Sequence, residues 1–399
     1  MSIKNKFTRR EFLEIGLSGA ASLMLAQKAF AQTNKKSKEM LLYIGTYTSS
    51  GKSEGIYVHK FDLETGKLTP LHIVKDVLEP SFLTIDKSRK YLYAANELLE
   101  YEGKKSGAVS AFAIDQKTGN LQFLNKQPSL GDAPCFITTS ENEKFALVAN
   151  YLGGNISVFP ILKNGKLGAS VDLAQHIGFG PNKDRQEAAH AHSITLDRNN
   201  RFAFAADLGI DKLMIYAFDA KTGKLKPNEN QLFYQTKAGA GPRHFSFHPN
   251  GKQAFLINEL DLTMTSLAYD EKVGTLKEIQ IVPTLPADVS SAGATCADIH
   301  VSPNGKFVYG SNRGHNSIVS YKIDEKTGRL EYIEHTSTGG MKPRNFAIEP
   351  NGKFLLVANQ DSDNIVVFRI DEKTGKLQAT GNTAQVPVPV CLKFIPSFA

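Results

Sequence analysis

The chain has 399 residues, of which 41% are hydrophobic and 22% charged, a composition typical of a folded globular protein and not of a disordered one. The formal net charge is +7, and five Lys or Arg against two Glu in residues 1–31 leave about +4 for the remainder. A charge this mild, with no basic run interleaved with aromatic residues, argues against a nucleic-acid partner.

Residues 1–31 resemble an export signal, not part of a fold. The pair Arg9-Arg10 lies in the string TRREFL, which resembles the twin-arginine signal. A mildly apolar run then ends in AFA at Ala31, a small-x-small cleavage pattern, and is shorter than the roughly 20 apolar residues that span a membrane. We therefore expect cleavage near Ala31, no stable membrane anchor afterwards, a linker over residues 32–39, and a periplasmic or secreted protein.

A unit of about 50 residues recurs along the rest of the chain. Its first half is a run such as GPRHFSFHPNGKQAFLINE from Gly241, or KPRNFAIEPNGKFLLVANQ from Lys342, in which two apolar segments flank a turn. Its second half is an alternating apolar segment followed by a turn of the type T-G-K-L. Asn-Gly and Thr-Gly turns between alternating segments indicate hairpins, so each unit supplies four short strands.

Seven such units predict an all-β fold, a seven-bladed β-propeller with four-stranded antiparallel blades over residues 40–399. The seventh copy is truncated to PVCLKFIP, starting at Pro389, and the strand that should follow it lies at residues 41–48. We expect these two segments to pair and close the ring, because closure removes exposed sheet edges. The cysteines form no CxxC pair, and we predict that they are buried free thiols: Cys135, Cys296 and Cys391.

Equivalent positions of the repeat should lie at the same depth around the central channel. We counted five residues back from the turn anchors Asp86, Ser140, Asp197, Pro249, Pro303, Pro350 and Pro396. The residues found there are polar or ionisable in the middle units: Ser81, Cys135, His192, His244, Asp298, Asn345 and Cys391. Arg243 and Arg344 stand one residue earlier in their units, and His190 stands two residues before His192.

A second variable position follows a repeated Asn or Asp at the end of the second strand, which we interpret as a structural cap. The residue after this cap changes from unit to unit: Glu97, Tyr151, Leu208, Glu259, Arg313 and Gln360. Variation on a repeated scaffold is where functional residues are placed. Five residues at these two positions or directly before one of them should meet at one end of the channel: His192, Arg243, His244, Glu259 and Arg313.

This grouping suits hydrolysis. A carboxylate or imidazole accepts a proton from water, and paired guanidiniums hold an anion and stabilise the oxyanion formed when water attacks an ester carbonyl. We predict catalytic roles for His192, Glu259, Arg243 and Arg313, and substrate binding by His190, His244, Asp298 and Arg344. Taken alone, a histidine whose side chain points into the channel often has only a structural role, and Glu259 could form an ion pair with Arg313 that only joins two blades.

No third ligand accompanies His190 and His192, so we predict no metal and no cofactor.

The strings GPRHFSFHPNGK, INE, SNRGHNSI and HAHSITLD resemble the seven-bladed propeller lactonases, a family that includes bacterial 6-phosphogluconolactonases and the fungal carboxymuconate-cyclising enzyme. The resemblance covers residues 40–396, and it implies a site built from His192, Arg243, Glu259 and Arg313. The export signal departs from the cytoplasmic phosphogluconolactonase pattern, because the sugar-phosphate substrate is normally made inside the cell.

The resemblance implies hydrolysis of a small anionic lactone, with 6-phosphogluconolactone as the first substrate. In this hypothesis Arg243 and Arg313 bind the anionic group, and His192 or Glu259 activates water. One alternative is cycloisomerisation of a carboxymuconate-type diacid. The other is a non-catalytic periplasmic propeller that binds sugar acids or a protein partner. The sequence leaves the lactone, the general base and the oligomeric state open.

Overall fold

A computed structural model of the chain describes residues 38–397. They form seven antiparallel sheets and one short 3₁₀ helix, Gln360–Ser362. The predicted export signal and the predicted linker up to residue 37 lie outside the described residues. Residues 38–397 contain no helix that is long and apolar enough to cross a membrane.

Each sheet is one blade, and its strands follow one another from the channel outward. The first three blades contain these strands: in blade 1, β29 (Pro389–Pro396), β1 (Glu39–Thr46), β2 (Gly55–Asp62) and β3 (Leu68–Lys75); in blade 2, β4 (Pro80–Ile85), β5 (Tyr91–Asn96), β6 (Ala108–Ile114) and β7 (Leu121–Pro128); in blade 3, β8 (Pro134–Thr139), β9 (Phe145–Asn150), β10 (Asn155–Pro160) and β11 (Asp172–Gln175).

The other four blades have the same order, and β16 adds to blade 4 by pairing with β14. Their strands are: in blade 4, β12 (Ala191–Leu196), β13 (Phe202–Asp207), β14 (Lys212–Asp219), β15 (Lys224–Pro227) and β16 (Phe233–Gln235); in blade 5, β17 (Pro242–Phe247), β18 (Gln253–Asn258), β19 (Thr263–Asp270) and β20 (Thr275–Pro283); in blade 6, β21 (Thr295–Val301), β22 (Phe307–Arg313), β23 (Ser317–Ile323) and β24 (Leu330–Ser337); in blade 7, β25 (Pro343–Ile348), β26 (Phe354–Asn359), β27 (Asn364–Ile370) and β28 (Leu377–Gln385).

The ring closes as predicted from the truncated seventh copy. Strand β29 pairs antiparallel with β1, so that Leu42 lies opposite Phe394 and Ile44 lies opposite Leu392. The first strand of every blade also contacts the first strand of the next blade, including β25 with β29 and β29 with β4. Seven inner strands therefore surround one channel, and the two ends of the propeller share one sheet.

The recurrent T-G-K-L turn is explained by local hydrogen bonds. In the β2–β3 hairpin, the Asp62 carboxylate accepts from the backbone N–H groups of Glu64 and Thr65. Gly66 then adopts a φ of 73°, a left-handed conformation that favours glycine. The side chain of Asp62 thus starts the turn and Gly66 completes it, which is the division of roles seen in Asx turns.

Tyrosines on the second strands join neighbouring blades through the same turns. The hydroxyl of Tyr43 donates to the carbonyl of Gly119 in the next blade at 2.7 Å, and Tyr93 and Tyr309 bond to Gly165 and Gly375 in the same way. All three tyrosines are fully buried. A buried hydroxyl without such a partner would destabilise the fold by about 1–3 kcal/mol, so the turn glycines also support the packing between blades.

The repeated Asn or Asp at the end of each second strand is structural, as predicted. The side-chain amides of Asn96, Asn150, Asn312 and Asn359 each donate to a backbone carbonyl of the segment that precedes their blade's inner strand. The prediction of buried free thiols is also confirmed, because all three cysteines are buried and unpaired by disulfides. These caps hold the segments from which the site residues project.

Candidate active site

A cavity of about 300 Å³ opens at the end of the channel where inner strands begin and second strands end. Its wall contains acidic, basic and aromatic side chains from blades 1 to 7: Tyr47, Glu97, Cys135, Tyr151, Arg185, His192, Glu259, Arg313 and Arg344. Side chains far apart in sequence meet here because each blade contributes from the same end of its sheet.

Glu259 is the electrostatic centre of this cavity. Its Oε1 accepts from Arg185 Nη2 at 2.6 Å, and its Oε2 accepts from Arg243 Nε at 2.9 Å. Oε2 also forms an ion pair with Arg313 Nη2 at 2.9 Å, while that Nη2 donates its hydrogen bond to the carbonyl of Cys296. The carboxylate is buried, with 3% of its side chain exposed. Three guanidiniums therefore converge on one carboxylate, an arrangement whose charge-assisted hydrogen bonds are short and geometrically specific.

These contacts set the protonation of Glu259. Burial by itself raises the pKa of the Glu259 carboxyl, but the charges of Arg313, Arg243 and Arg185 outweigh burial and hold that pKa well below its ordinary value. Glu259 is thus ionised at neutral pH, and both of its oxygens are engaged by donors. Such a carboxylate is a weak proton acceptor but a strong anchor for guanidiniums.

His192 faces the same cavity from β12. Its Nε2 lies 4.0 Å from Glu259 Oε2, and its Nδ1 lies 3.6 Å from the Sγ of Cys135. The Tyr151 ring contacts the imidazole edge-on, with ring centroids 5.3 Å apart. Burial, followed by the charge of Arg243, holds the pKa of His192 well below its ordinary value. The imidazole is therefore neutral at neutral pH, and one of its two nitrogens has a lone pair that can accept a proton.

The opposite wall is a second group of three side chains. The Tyr47 hydroxyl donates to Glu97 Oε2 at 2.8 Å. The guanidinium of Arg344 lies over the Tyr47 ring, 5.3 Å from its centroid, and 4.0 Å from Glu97 Oε1. The contact between ring face and cation orients Arg344 without consuming all of its donors. Arg344 can therefore offer N–H groups to a bound molecule.

The wall of the cavity has a surplus of positive charge. It bears three guanidiniums, those of Arg185, Arg313 and Arg344, against the two carboxylates of Glu97 and Glu259. A further guanidinium lies buried directly behind it. Paired guanidinium donors recognise carboxylate and phosphate oxygens, so this wall is suited to an anionic molecule or to an oxyanion that develops during reaction.

Four of the eight predicted site residues line the cavity: His192, Glu259, Arg313 and Arg344. The other four lie behind its wall. Arg243 is 2% exposed and contacts Glu259 from beneath. His190 stacks on Tyr151 and bonds to Glu187 Oε1 at 3.0 Å. His244 and Asp298 lie deeper and bond to each other at 2.7 Å.

The comparison of repeats was one residue out of register in the later copies, and the structure corrects it. The backbone N–H that starts the inner turn belongs to Asp197 in blade 4 but to His248 in blade 5, the residue before the proline taken as the anchor. Counted from these donors, His192 is equivalent to Arg243 and not to His244. The proline was misleading because it occupies the next position of the turn, which other copies fill with polar residues.

These equivalent residues are all β-bulges. The pairing of β12 with β13 skips from Ala191 to Ser193, and the pairing of β17 with β18 skips from Pro242 to His244. A bulge leaves one residue unpaired and re-aims its side chain. In consequence His192, Arg243 and, in blade 7, Arg344 project toward the channel end from the same irregularity.

Sequence reasoning missed Tyr47 as a site residue, although a signal existed. Tyr47 follows β1, the second strand of blade 1, and so occupies the position of Glu97 in blade 2. Extending the repeat register into the N-terminal strand would have found it.

Arg185 was also missed, and it has no counterpart in the repeat. It lies in the segment between β11 and β12, in the longest interval between turn anchors, the 57 residues from Ser140 to Asp197. The neighbouring Gln186 is fully buried and donates to Leu208 O at 2.8 Å and to Asp211 Oδ1 at 2.7 Å. Gln186 thereby holds the segment so that Arg185 reaches Glu259.

Within residues 38–397, no group of three or more His, Cys, Asp or Glu side chains is arranged to hold a metal ion.

The fold and the site together define a seven-bladed β-propeller with a guanidinium-rich cavity suited to ester chemistry on an anionic molecule. The model of the lactonase family with a 7-bladed β-propeller matches residues 41–394, so the chain belongs to this family.

Two relatives named 6-phosphogluconolactonase are each 37% identical to the chain. That of Bacillus subtilis aligns over 353 residues, 88% of this chain and 97% of the relative. That of Formosa agariphila aligns over 308 residues, 77% of this chain and 85% of the relative. A solved structure described as the periplasmic gluconolactonase of Pseudomonas aeruginosa matches with a TM-score of 0.84 at 31% sequence identity, over 90% of this chain and 99% of that one.

Proposed function

We propose that this chain hydrolyses the ring ester of a sugar lactone, with 6-phosphogluconolactone as the first substrate. The observation that carries the proposal is the neutral imidazole of His192 beside a carboxylate that anchors three guanidiniums. The names of the relatives from Bacillus subtilis and Formosa agariphila support the choice of lactone.

In the proposed reaction, water attacks the carbonyl carbon of the lactone and gives its proton to Nε2 of His192. The carbonyl oxygen becomes an oxyanion, and the guanidiniums of Arg185 and Arg313 stabilise it. The bond from the carbonyl carbon to the ring oxygen then breaks, and the leaving alkoxide takes the proton back from His192. The product is the open-chain hydroxy acid, and His192 returns to its neutral state.

The structure favours His192 over Glu259 as the group that accepts the proton. The oxygens of Glu259 already accept hydrogen bonds from Arg185 and Arg243 and form an ion pair with Arg313, and the pKa of Glu259 is held well below its ordinary value. A proton acceptor needs a lone pair that is not already engaged by charged donors, and the neutral imidazole of His192 has a lone pair on one of its two nitrogens. We therefore propose that Glu259 anchors Arg185, Arg243 and Arg313 while His192 moves the proton.

Arg344 is the proposed ligand of the phosphate group. It lies across the cavity from Glu259, and its contacts with Tyr47 and Glu97 leave donors available. We expect Arg344→Ala to raise KM for 6-phosphogluconolactone roughly 10- to 100-fold, because it removes a charge-assisted hydrogen bond worth about 1.5–3 kcal/mol. KM for the unphosphorylated glucono-δ-lactone should change much less.

The experiment is a panel of phosphorylated and unphosphorylated sugar lactones, with spontaneous hydrolysis subtracted. Arg198→Ala, which removes an exposed guanidinium outside the site, is the matched control and should leave both substrates unaffected. An equal change in KM for both lactones in Arg344→Ala would show that Arg344 does not bind the phosphate group. If the wild-type protein binds sugar acids but turns over none of the lactones, the non-catalytic alternative replaces this proposal.

An unphosphorylated gluconolactone is the second candidate substrate. It is supported by the N-terminal string TRREFL and by the similarity to a gluconolactonase described as periplasmic. We propose that the chain is exported through the twin-arginine route and cleaved near Ala31. A phosphorylated lactone made in the cytoplasm would not meet an exported enzyme. The compartment in which this protein works therefore determines which of the two lactones it can hydrolyse.

We expect the full-length chain, produced in a Gram-negative host with twin-arginine export, to be recovered from the periplasm in a shortened form. The double variant Arg9→Lys, Arg10→Lys keeps the charge of the signal but lacks the arginine pair that the export machinery reads. It should accumulate uncleaved in the cytoplasm. Periplasmic recovery of this variant, or cytoplasmic retention of the unchanged chain, would contradict the export proposal.

A further inference from the structure

We infer that Asp298 and His244 position the buried guanidinium of Arg243, and through it the carboxylate of Glu259. This inference rests on the proposed function. Neither Asp298 nor His244 lines the cavity, so neither is placed to touch the substrate. Their role would be to set the geometry of the groups that do, which assigns a function to two residues that the sequence pattern singled out for substrate binding.

The four side chains form a continuous line of contacts beneath the cavity. Glu259 Oε2 accepts from Arg243 Nε at 2.9 Å, Arg243 Nη1 lies 3.2 Å from His244 Nε2, and His244 Nδ1 lies 2.7 Å from Asp298 Oδ1. Arg243 Nη1 also donates to the carbonyl of Ala297. Every member of the line is at least nine-tenths buried, so water does not compete for these contacts.

The charges of the neighbours determine which nitrogen of His244 bears the proton. Burial and the charge of Arg243 lower the pKa of His244 to about 4, so the ring is neutral at neutral pH. A guanidinium is a donor only, and a carboxylate is an acceptor only. Nδ1–H must therefore donate to Asp298, and the lone pair on Nε2 must accept from Arg243.

Asp298 is itself held firmly by three inner strands. Its Oδ2 accepts from His300 Nε2 at 2.9 Å and from Asn345 Nδ2 at 2.5 Å, while its Oδ1 bonds to His244. The ring of His244 is in addition packed edge-on against Phe136, with ring centroids 5.3 Å apart. Neither Asp298 nor the plane of His244 is free to move, so the acceptor offered to Arg243 is fixed in space.

A fixed acceptor matters because Arg243 transmits its position to Glu259. If Nη1 loses the acceptor on His244, only the carbonyl of Ala297 still holds it, and the planar guanidinium can tilt through the Cγ–Cδ and Cδ–Nε bonds of the side chain. Such a tilt moves Nε, and with it the carboxylate that Arg185 and Arg313 also contact. A displacement of about 1 Å in a reacting group can lower a rate on the order of 100-fold. The competing explanation is that Asp298 and His244 only hold the blades together.

Two substitutions at one position separate these explanations. His244→Phe keeps an aromatic ring against Phe136 but removes the acceptor, whereas the side-chain oxygen of His244→Gln can accept from Arg243 in place of Nε2. We expect His244→Phe to lower kcat on the order of 100-fold with KM within a few-fold of wild type. His244→Gln should recover most of that loss although it gives up the bond to Asp298.

His248→Phe is the matched control. His248 is also buried, follows the same strand, and bonds to the carbonyl of Gly305 in the next blade at 2.7 Å. This variant should lower the melting temperature and leave kcat and KM unchanged. Equal losses of kcat in His244→Phe and His244→Gln, or a similar loss in His248→Phe, would overturn the positioning role and leave a structural one.

Crystal structures distinguish a failure of this inference from a failure of the proposed function. If wild type hydrolyses no lactone, the proposed function fails, but the distance from Arg243 Nε to Glu259 Oε2 still tests the positioning role. A longer distance in His244→Phe, restored in His244→Gln, supports it. A contact that stays at 2.9 Å in His244→Phe contradicts it.

Discussion

Replacing Glu259 with glutamine is expected to lower kcat/KM roughly 100- to 1,000-fold and the free energy of unfolding by about 3–5 kcal/mol. Glutamine keeps the shape of the side chain but removes the negative charge that Arg185, Arg243 and Arg313 share. A buried guanidinium that loses its counter-charge is strongly unfavourable, and Arg243 is the most buried of the three. The same loss frees the guanidiniums from the geometry that stabilises the oxyanion.

Steady-state kinetics on the lactone panel and denaturant unfolding monitor the two effects. Glu271→Gln is the matched control, because Glu271 pairs with Arg198 at 2.9 Å on the exposed surface. Exposed ion pairs contribute little to stability, so this variant should be indistinguishable from wild type in both measurements. A Glu259→Gln protein that is destabilised but fully active would show that the three contacts only stabilise the fold.

Replacing His192 with alanine is expected to lower kcat about 100- to 10,000-fold while KM stays within a few-fold of wild type. The guanidiniums that bind the anionic substrate remain in place, so the loss falls on proton transfer and not on binding. His335→Ala is the matched control: His335 is half-buried on β24, where its Nε2 contacts the carbonyl of Thr284 at 2.8 Å. An increase in KM without a change in kcat for His192→Ala would contradict its role as the proton acceptor.

The pH dependence of kcat tests the same role with a defined sign. His192 accepts a proton only when neutral, and burial together with Arg243, His244 and Arg344 holds its pKa well below 6.5. We therefore expect kcat to stay constant as pH falls from neutrality past 6.5, and to decline only at lower pH, where His192 becomes protonated. The remaining activity of His192→Ala should lack this decline. A midpoint at or above pH 6.5 in wild type would exclude His192 as the acceptor.

The sequence alone determined the architecture and the end of the channel that bears the site. Seven copies of one hairpin pattern are enough to predict seven blades, because each blade is built from local turns such as that of Asp62 and Gly66. The truncated last copy predicted the pairing of β29 with β1. Because equivalent positions of the repeat lie at the same depth of the channel, His192, Glu259 and Arg313 could be placed at one end of it from the sequence.

Which side chains face the cavity, and which of them are charged, follows from the packing of the blades and could not be predicted from the repeat. The bulge in each inner strand shifts the side-chain direction by one residue, so Arg243 and His244 could not be told apart by counting from a turn. Arg185 belongs to a segment without a counterpart in other blades, and a repeat cannot predict what is not repeated. The charge on Glu259 and the neutrality of His192 depend on guanidiniums from other blades. Those distances exist only once the ring has closed.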